Sequence, residues 1–126
     1  MPNRTRPIWG VITPTVPPGV LIGQAKMYEQ AGLVGLFAPQ VYGPPFVPLA
    51  AAAAVTTRVK LASGIALAFA RSPFETAMAA IDLDRISGGR FTLGLGCSIR
   101  SWSEGFFGCR TASRLSICAR WWSSSG

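Results

Sequence analysis

Four short apolar runs punctuate the chain, three of them stopped by Pro or Gly. Ile8 to Thr13 is rich in β-branched residues and bounded by Pro7 and Pro14, which predicts a first strand. Leu33 to Ala38, halted by Pro39, is apolar throughout instead of alternating, and this fits a strand covered on both faces. Val59 to Ile65 predicts a third strand, and the Ser63-Gly64 interruption inside it points to a bulge or a close backbone approach. Phe91 to Leu95 predicts a fourth, running into Gly96 and the small residues Cys97 and Ser98.

Helical spacing fills the gaps. Between Leu21 and Ala31 the residues Leu21, Ala25 and Tyr28 share a face, with Ile22 and Met27 nearby, and Gly32 stands where a C-cap glycine belongs. Gln40 to Pro48 holds one Gly and three Pro and predicts a rigid loop, followed by a helix over the alanines Ala50 to Ala54. Ser72-Pro73-Phe74-Glu75 is the clearest local signal: an N-cap Ser, Pro at the first helical position, and Glu three residues after the Ser as a capping box. The helix it opens runs to about Ile86, burying Thr76, Ala79, Ala80, Leu83 and Ile86, and Ser87-Gly88-Gly89 ends it. Three successive strand–helix–strand passages imply right-handed parallel crossovers, which suit either a doubly wound sheet or a barrel. A G-x-G-x-x-G turn after the first strand would favour the former, as a nucleotide-binding module, but that stretch reads Pro14-Thr15-Val16-Pro17-Pro18.

Composition narrows the function classes. The 126 residues are 49% hydrophobic and 13% charged, too apolar for disorder. The net charge of +7 permits anionic ligands, yet the basic residues are scattered, with no stripe interleaved with aromatics, so no nucleic-acid partner is expected. There is no His, and Cys97, Cys109 and Cys118 lack metal-ligand spacing, so no metal site is expected. No apolar stretch reaches the length of a membrane helix, and no leader pattern is legible at the amino terminus, so the expectation is a cytoplasmic protein without a membrane partner.

Several segments together resemble the amino-terminal portion of the bacterial luciferase-like monooxygenase superfamily, in particular its deazaflavin (coenzyme F420)-dependent oxidoreductase branch. They are Ala31 to Phe37, Pro48 to Leu61, Ser63-Gly64-Ile65, Arg71-Ser72-Pro73 and, most specific, Asp82-Leu83-Asp84-Arg85-Ile86-Ser87-Gly88-Gly89-Arg90-Phe91-Thr92-Leu93-Gly94-Leu95-Gly96. The resemblance covers Ile8 to about Gly108. It implies an α/β fold, the N-terminal half of a TIM (β/α)8 barrel with about four parallel strands and intervening helices. It also implies coenzyme F420 or FMN at the carboxyl ends of the strands, a small organic substrate, and homo-oligomeric full-length relatives.

The resemblance also places site residues. Gly64-Ile65 falls where relatives often carry a non-proline cis peptide that bulges against the cofactor ring. Gly96, Cys97 and Ser98 end the fourth strand, and together these five residues are the expected cofactor contacts. Pro39 and Gln40 follow the second strand, where relatives commonly show an acid and a His; Gln can hold a carbonyl by hydrogen bond but supplies no proton. Trp102 and Glu104, on the loop after the fourth strand, join Pro39 and Gln40 as expected substrate-lining residues. No catalytic acid or base is assigned. Arg85 and Arg90, bracketing the helix end, are expected to be structural.

After Gly108 the composition changes, with three Arg and no acid in the last eighteen residues. The expectation is a partial barrel domain over 1–108 and an atypical tail over 109–126, either frameshifted or disordered. A half barrel has two unpaired strand edges, so the chain alone is expected to be inactive. The alternative expectation is a non-catalytic half-barrel that pairs with a copy of itself or with a separately encoded second half.

Overall fold

The computed structural model describes residues 6–41, 43–106 and 108. The atypical tail expected over 109–126, with Cys109 and Cys118, lies outside the described residues. Strands and helices alternate: β1 (Trp9–Val11), α1 (Pro18–Gln30), β2 (Gly35–Ala38), α2 (Phe46–Val55), β3 (Lys60–Ser63), β4 (Ala66–Leu67), α3 (Pro73–Ser87), β5 (Phe91–Thr92), β6 (Leu95–Gly96) and α4 (Arg100–Gly105). A four-stranded sheet has the order β1-β2-β3-β5, a second sheet pairs β4 with β6, and every pairing is parallel.

Six strand segments make four barrel strands, because the third and fourth are each broken. Below the break Leu61 pairs with Phe91 and Ala62 with Thr92; above it Ala66 pairs with Leu95 and Leu67 with Gly96. The register therefore slips by one residue, and the extra residue lies in the third strand at Gly64–Ile65, whose peptide bond is cis. The interruption expected at Ser63-Gly64 is thus a bulge in the strict sense, one residue without a counterpart. Ser63 stitches the two broken strands together: its Oγ donates to the Gly94 carbonyl at 2.9 Å, and the Gly94 N–H lies 2.8 Å from the same oxygen.

The helices cover one face of the sheet. Ile12, Leu36, Ala38 and Leu61 from that face are buried with Ala25 of α1, Leu49, Ala52 and Ala53 of α2, and Leu83 of α3. Gly10 also lies on this face, against Tyr28, Leu33 and Leu36, where a Cβ would meet all three side chains. On the opposite face, which lines the interior of a closed (β/α)8 barrel, Trp9 and Val11 stay exposed and Phe37 is half-buried. The two-sided cover expected for the second strand is therefore uneven.

Local chemistry explains the helix limits. Ser72 Oγ accepts from the Glu75 N–H at 3.1 Å, and Gly88 closes α3 in the left-handed region at φ +67°. Its buried side holds Thr76 and Leu83, with Ala79 and Ala80 packed on the core; Ile86, expected inside, is exposed. Helix α2 begins at Phe46, inside the stretch expected to be loop, because Pro45 is its N-cap and Pro48 sits in the first turn, where an N–H has no intrahelical partner to lose. Arg90 packs below the sheet and joins the end of α2 to β3: its guanidinium donates to the carbonyls of Thr56, Val59 and Ala53 at 2.9, 2.9 and 3.2 Å. Arg90 is thus structural, as expected from its place before the strand.

Candidate functional site

At the carboxyl ends of the strands the chain departs from regular structure, and the expected site residues gather there. The second barrel strand ends at Ala38, the third continues through the cis Gly64–Ile65 peptide, and the fourth ends at Gly96. The Gly64 N–H donates to the Ala38 carbonyl at 3.0 Å, which anchors the bulge on β2. Among the described residues, neither the Gly64 carbonyl nor the Ile65 N–H has a hydrogen-bond partner. Both polar atoms of the cis peptide are therefore available to a ligand.

The Ile65 side chain lies over Gly96. A Cβ on Gly96 would collide with Ile65 Cδ1, so glycine is what lets the Ile65 side chain lie over the end of β6. Ile65 remains 38% exposed, an apolar surface beside the two unpartnered polar atoms. Ser98, two residues on, holds a left-handed backbone at φ +58°. Of the five expected cofactor contacts, Gly64, Ile65 and Gly96 form one contact group, and Cys97 and Ser98 continue it along the chain.

The four expected substrate-lining residues divide into two pairs. Pro39 lines a small open pocket of about 130 Å³ with Thr13, Pro14, Thr15 and Val41, at the ends of β1 and β2. Thr13 and Thr15 place their hydroxyl oxygens 2.8 Å apart at this pocket. Gln40 stands next to the bulge: its N–H donates to the Ile65 carbonyl at 3.2 Å, and its Oε1 accepts from the Leu67 N–H at 2.9 Å. Trp102 and Glu104 belong to the short helix α4 and not to a loop. Ser103 between them ties that helix to the strand end by donating to the Cys97 carbonyl at 3.2 Å, and Trp102 packs on Phe106 with ring centroids 5.7 Å apart.

Away from this face, Glu29 is a residue that apolar patterning gave no reason to single out. Its carboxylate accepts the N–H groups of Thr57, Arg58 and Val59 at 3.0, 2.8 and 3.0 Å, tying the end of α1 to the turn before β3. Desolvation raises its pKa, but the backbone hydrogen bonds from Val59, Arg58 and Thr57, with the Thr57 hydroxyl, outweigh it and lower the value to about 2. A lone acid at the end of an amphipathic helix carries no sequence signal for such a partner. No group of three or more potential metal ligands occurs among the described residues. No helix among them is long and apolar enough to cross a membrane.

Parallel strands alternating with helices on one side are the architecture of part of a (β/α)8 barrel, a fold that carries its active sites at the carboxyl ends of the strands. The chain belongs to the luciferase-like monooxygenase family, whose profile matches residues 7–119. A Mycobacterium tuberculosis protein whose name assigns it to the coenzyme F420-dependent oxidoreductases is 41% identical over 83 residues, 65% of this chain and 24% of that protein. In three dimensions the chain resembles the coenzyme F420-dependent tetrahydromethanopterin reductase of Methanopyrus kandleri, with a TM-score of 0.76 and 22% identity over 90% of this chain and 37% of that one. It also resembles the oxygenating constituent of 3,6-diketocamphane monooxygenase of Pseudomonas putida, in complex with FMN, with a TM-score of 0.74 and 20% identity over 90% of this chain and 38% of that one. The chain spans about a quarter of the curated relative's length and under two fifths of these structures. At these identities the two structural likenesses speak to the fold.

Proposed function

We propose that this chain supplies the strand-end platform for coenzyme F420, or alternatively FMN, in a luciferase-like oxidoreductase acting on a small organic substrate. The observation that carries this reading is the one-residue bulge at Gly64–Ile65, with the Gly64 carbonyl and the Ile65 N–H unpartnered among the described residues and an exposed apolar side chain beside them. A planar heteroaromatic ring has apolar faces and a polar edge. The bulge matches it with Ile65 for a face and peptide atoms for the edge. The Mycobacterium tuberculosis relative's name supports the deazaflavin, and the FMN in the Pseudomonas putida structure keeps the flavin as the alternative.

When bound, the cofactor would supply the redox chemistry, taking up or giving a hydride at its ring. The chain's own residues orient and shield it. Ile65 would shield the bound ring from water, the Gly64 carbonyl and the Ile65 N–H would hold its polar atoms, and the Ser98 hydroxyl would donate to an oxygen of the cofactor. The pocket of Thr13, Pro14, Thr15, Pro39 and Val41, apolar with a hydroxyl pair, suits the organic substrate. Equilibrium titration of the full chain with coenzyme F420 and with FMN, followed by ligand fluorescence, tests the reading: saturable one-to-one binding of either is expected, and absence of binding to folded protein refutes it.

A further inference from the structure

We infer that Gln40 is a positioning residue, which holds the Gly64–Ile65 bulge from the side and acts on the cofactor site without lining the substrate. The inference rests on the reading of the bulge as a ring seat. Its grounds are geometric.

Among the described residues, strand β4 pairs with another strand along one edge only. Ala66 and Ala68 donate to the Gly94 and Gly96 carbonyls at 2.7 and 2.9 Å, towards β6. In a parallel ladder the intervening Leu67 N–H points the other way, towards the second barrel strand. That strand has already ended at Ala38, and Pro39, next in the chain, has no N–H to offer. Gln40 fills the gap with both kinds of group. Its main-chain N–H donates to the Ile65 carbonyl and its side-chain Oε1 accepts the Leu67 N–H. Gln40 thereby reproduces a parallel bridge to Ala66, with its side-chain oxygen standing in for its main-chain carbonyl. The segment that carries Ile65 is held from β6 on one edge and from Gln40 on the other.

An amide side chain suits this edge because it has an acceptor at the right reach and carries no net charge. The Gln40 carbonyl oxygen is already engaged with Leu67, so its value to the reaction is the placement of Ile65 and the cis peptide. Removing the acceptor frees the Leu67 N–H and lets the bulge drift away from the ring.

The test uses the full chain with Gln40→Met, which keeps the length and removes the oxygen, and Gln40→Glu, which keeps an acceptor. Exchange of the Leu67 amide is read by NMR beside those of Ala66 and Ala68, together with the Kd for FMN and coenzyme F420. In Gln40→Met, Leu67 exchange is expected to speed up about tenfold, the equivalent of one hydrogen bond, with Ala66 and Ala68 unchanged. The Kd is expected to rise by about the same factor, and Gln40→Glu restores both. Unchanged Leu67 exchange overturns the inference, as does a lost Leu67 bond with an unaltered Kd. Equal acceleration at all three amides overturns it too, since Gln40 would then support stability in general. If the unmodified chain binds neither cofactor, the ring-seat reading fails and the Leu67 amide alone decides whether Gln40 holds the bulge.

Discussion

Two glycines near the site, two residues apart, face different obstacles, and they separate stability from function. A Cβ on Gly94 would run into the Ser63 carbonyl oxygen, a backbone atom already fixed in the sheet. Gly94→Ala is therefore expected to cost about 1–3 kcal/mol, read as a lowered denaturation midpoint. A Cβ on Gly96 meets the Ile65 side chain and no backbone atom, and its worst clash is with the terminal Cδ1, which can swing away. Gly96→Ala should leave the midpoint nearly unchanged while weakening cofactor binding, because Ile65 has moved; equal losses of stability in the two variants would contradict this. Glu29 carries a prediction of another kind. Its folded pKa of about 2 lies below the ordinary glutamate value of 4.5, so its contribution is complete above pH 4.5 and is lost as the pH falls towards 2. Urea titrations at stepped pH should show that loss in the native chain and a smaller one in Glu29→Gln.

At the scale of elements, Arg90 is what joins the end of α2 to the start of β3. It donates to three carbonyls in that turn, a fork geometry that lysine cannot reproduce. Arg90→Lys is expected to destabilise by about 1–3 kcal/mol without altering cofactor affinity, since it lies at the opposite end of the strands. The elements themselves were legible where one local rule sufficed. Ser72 and Glu75 set the start of α3, Gly88 its end, and the apolar runs the strands. The start of α2 is not legible because Pro48 looks like a breaker, and its position in the first turn is visible only once Pro45 is known to be the cap. Trp102 and Glu104 were expected on a loop for a similar reason: α4 has six residues and no side-chain cap hydrogen bond. The bulge was legible as Ser63-Gly64, but the slip in register, and the role of Gln40 beside it, depend on strands that meet only in the folded sheet.

On the scale of the whole molecule, the helices complete the core on one face, and the strand ends gather the candidate site at one end. Such a division matches the barrel family, in which the covered face and the strand bottoms give stability and the strand-end loops give chemistry. The decisive observation is where a cofactor lands. Hydrogen exchange of the full chain, with and without saturating coenzyme F420 or FMN, measures this directly. Protection is expected at the Ile65 amide and around residues 96–98, with the turn at 57–59 and its Glu29 bonds unaffected. Protection confined to other regions, or none at saturation, would contradict the assignment of the Gly64–Ile65 bulge as the cofactor platform.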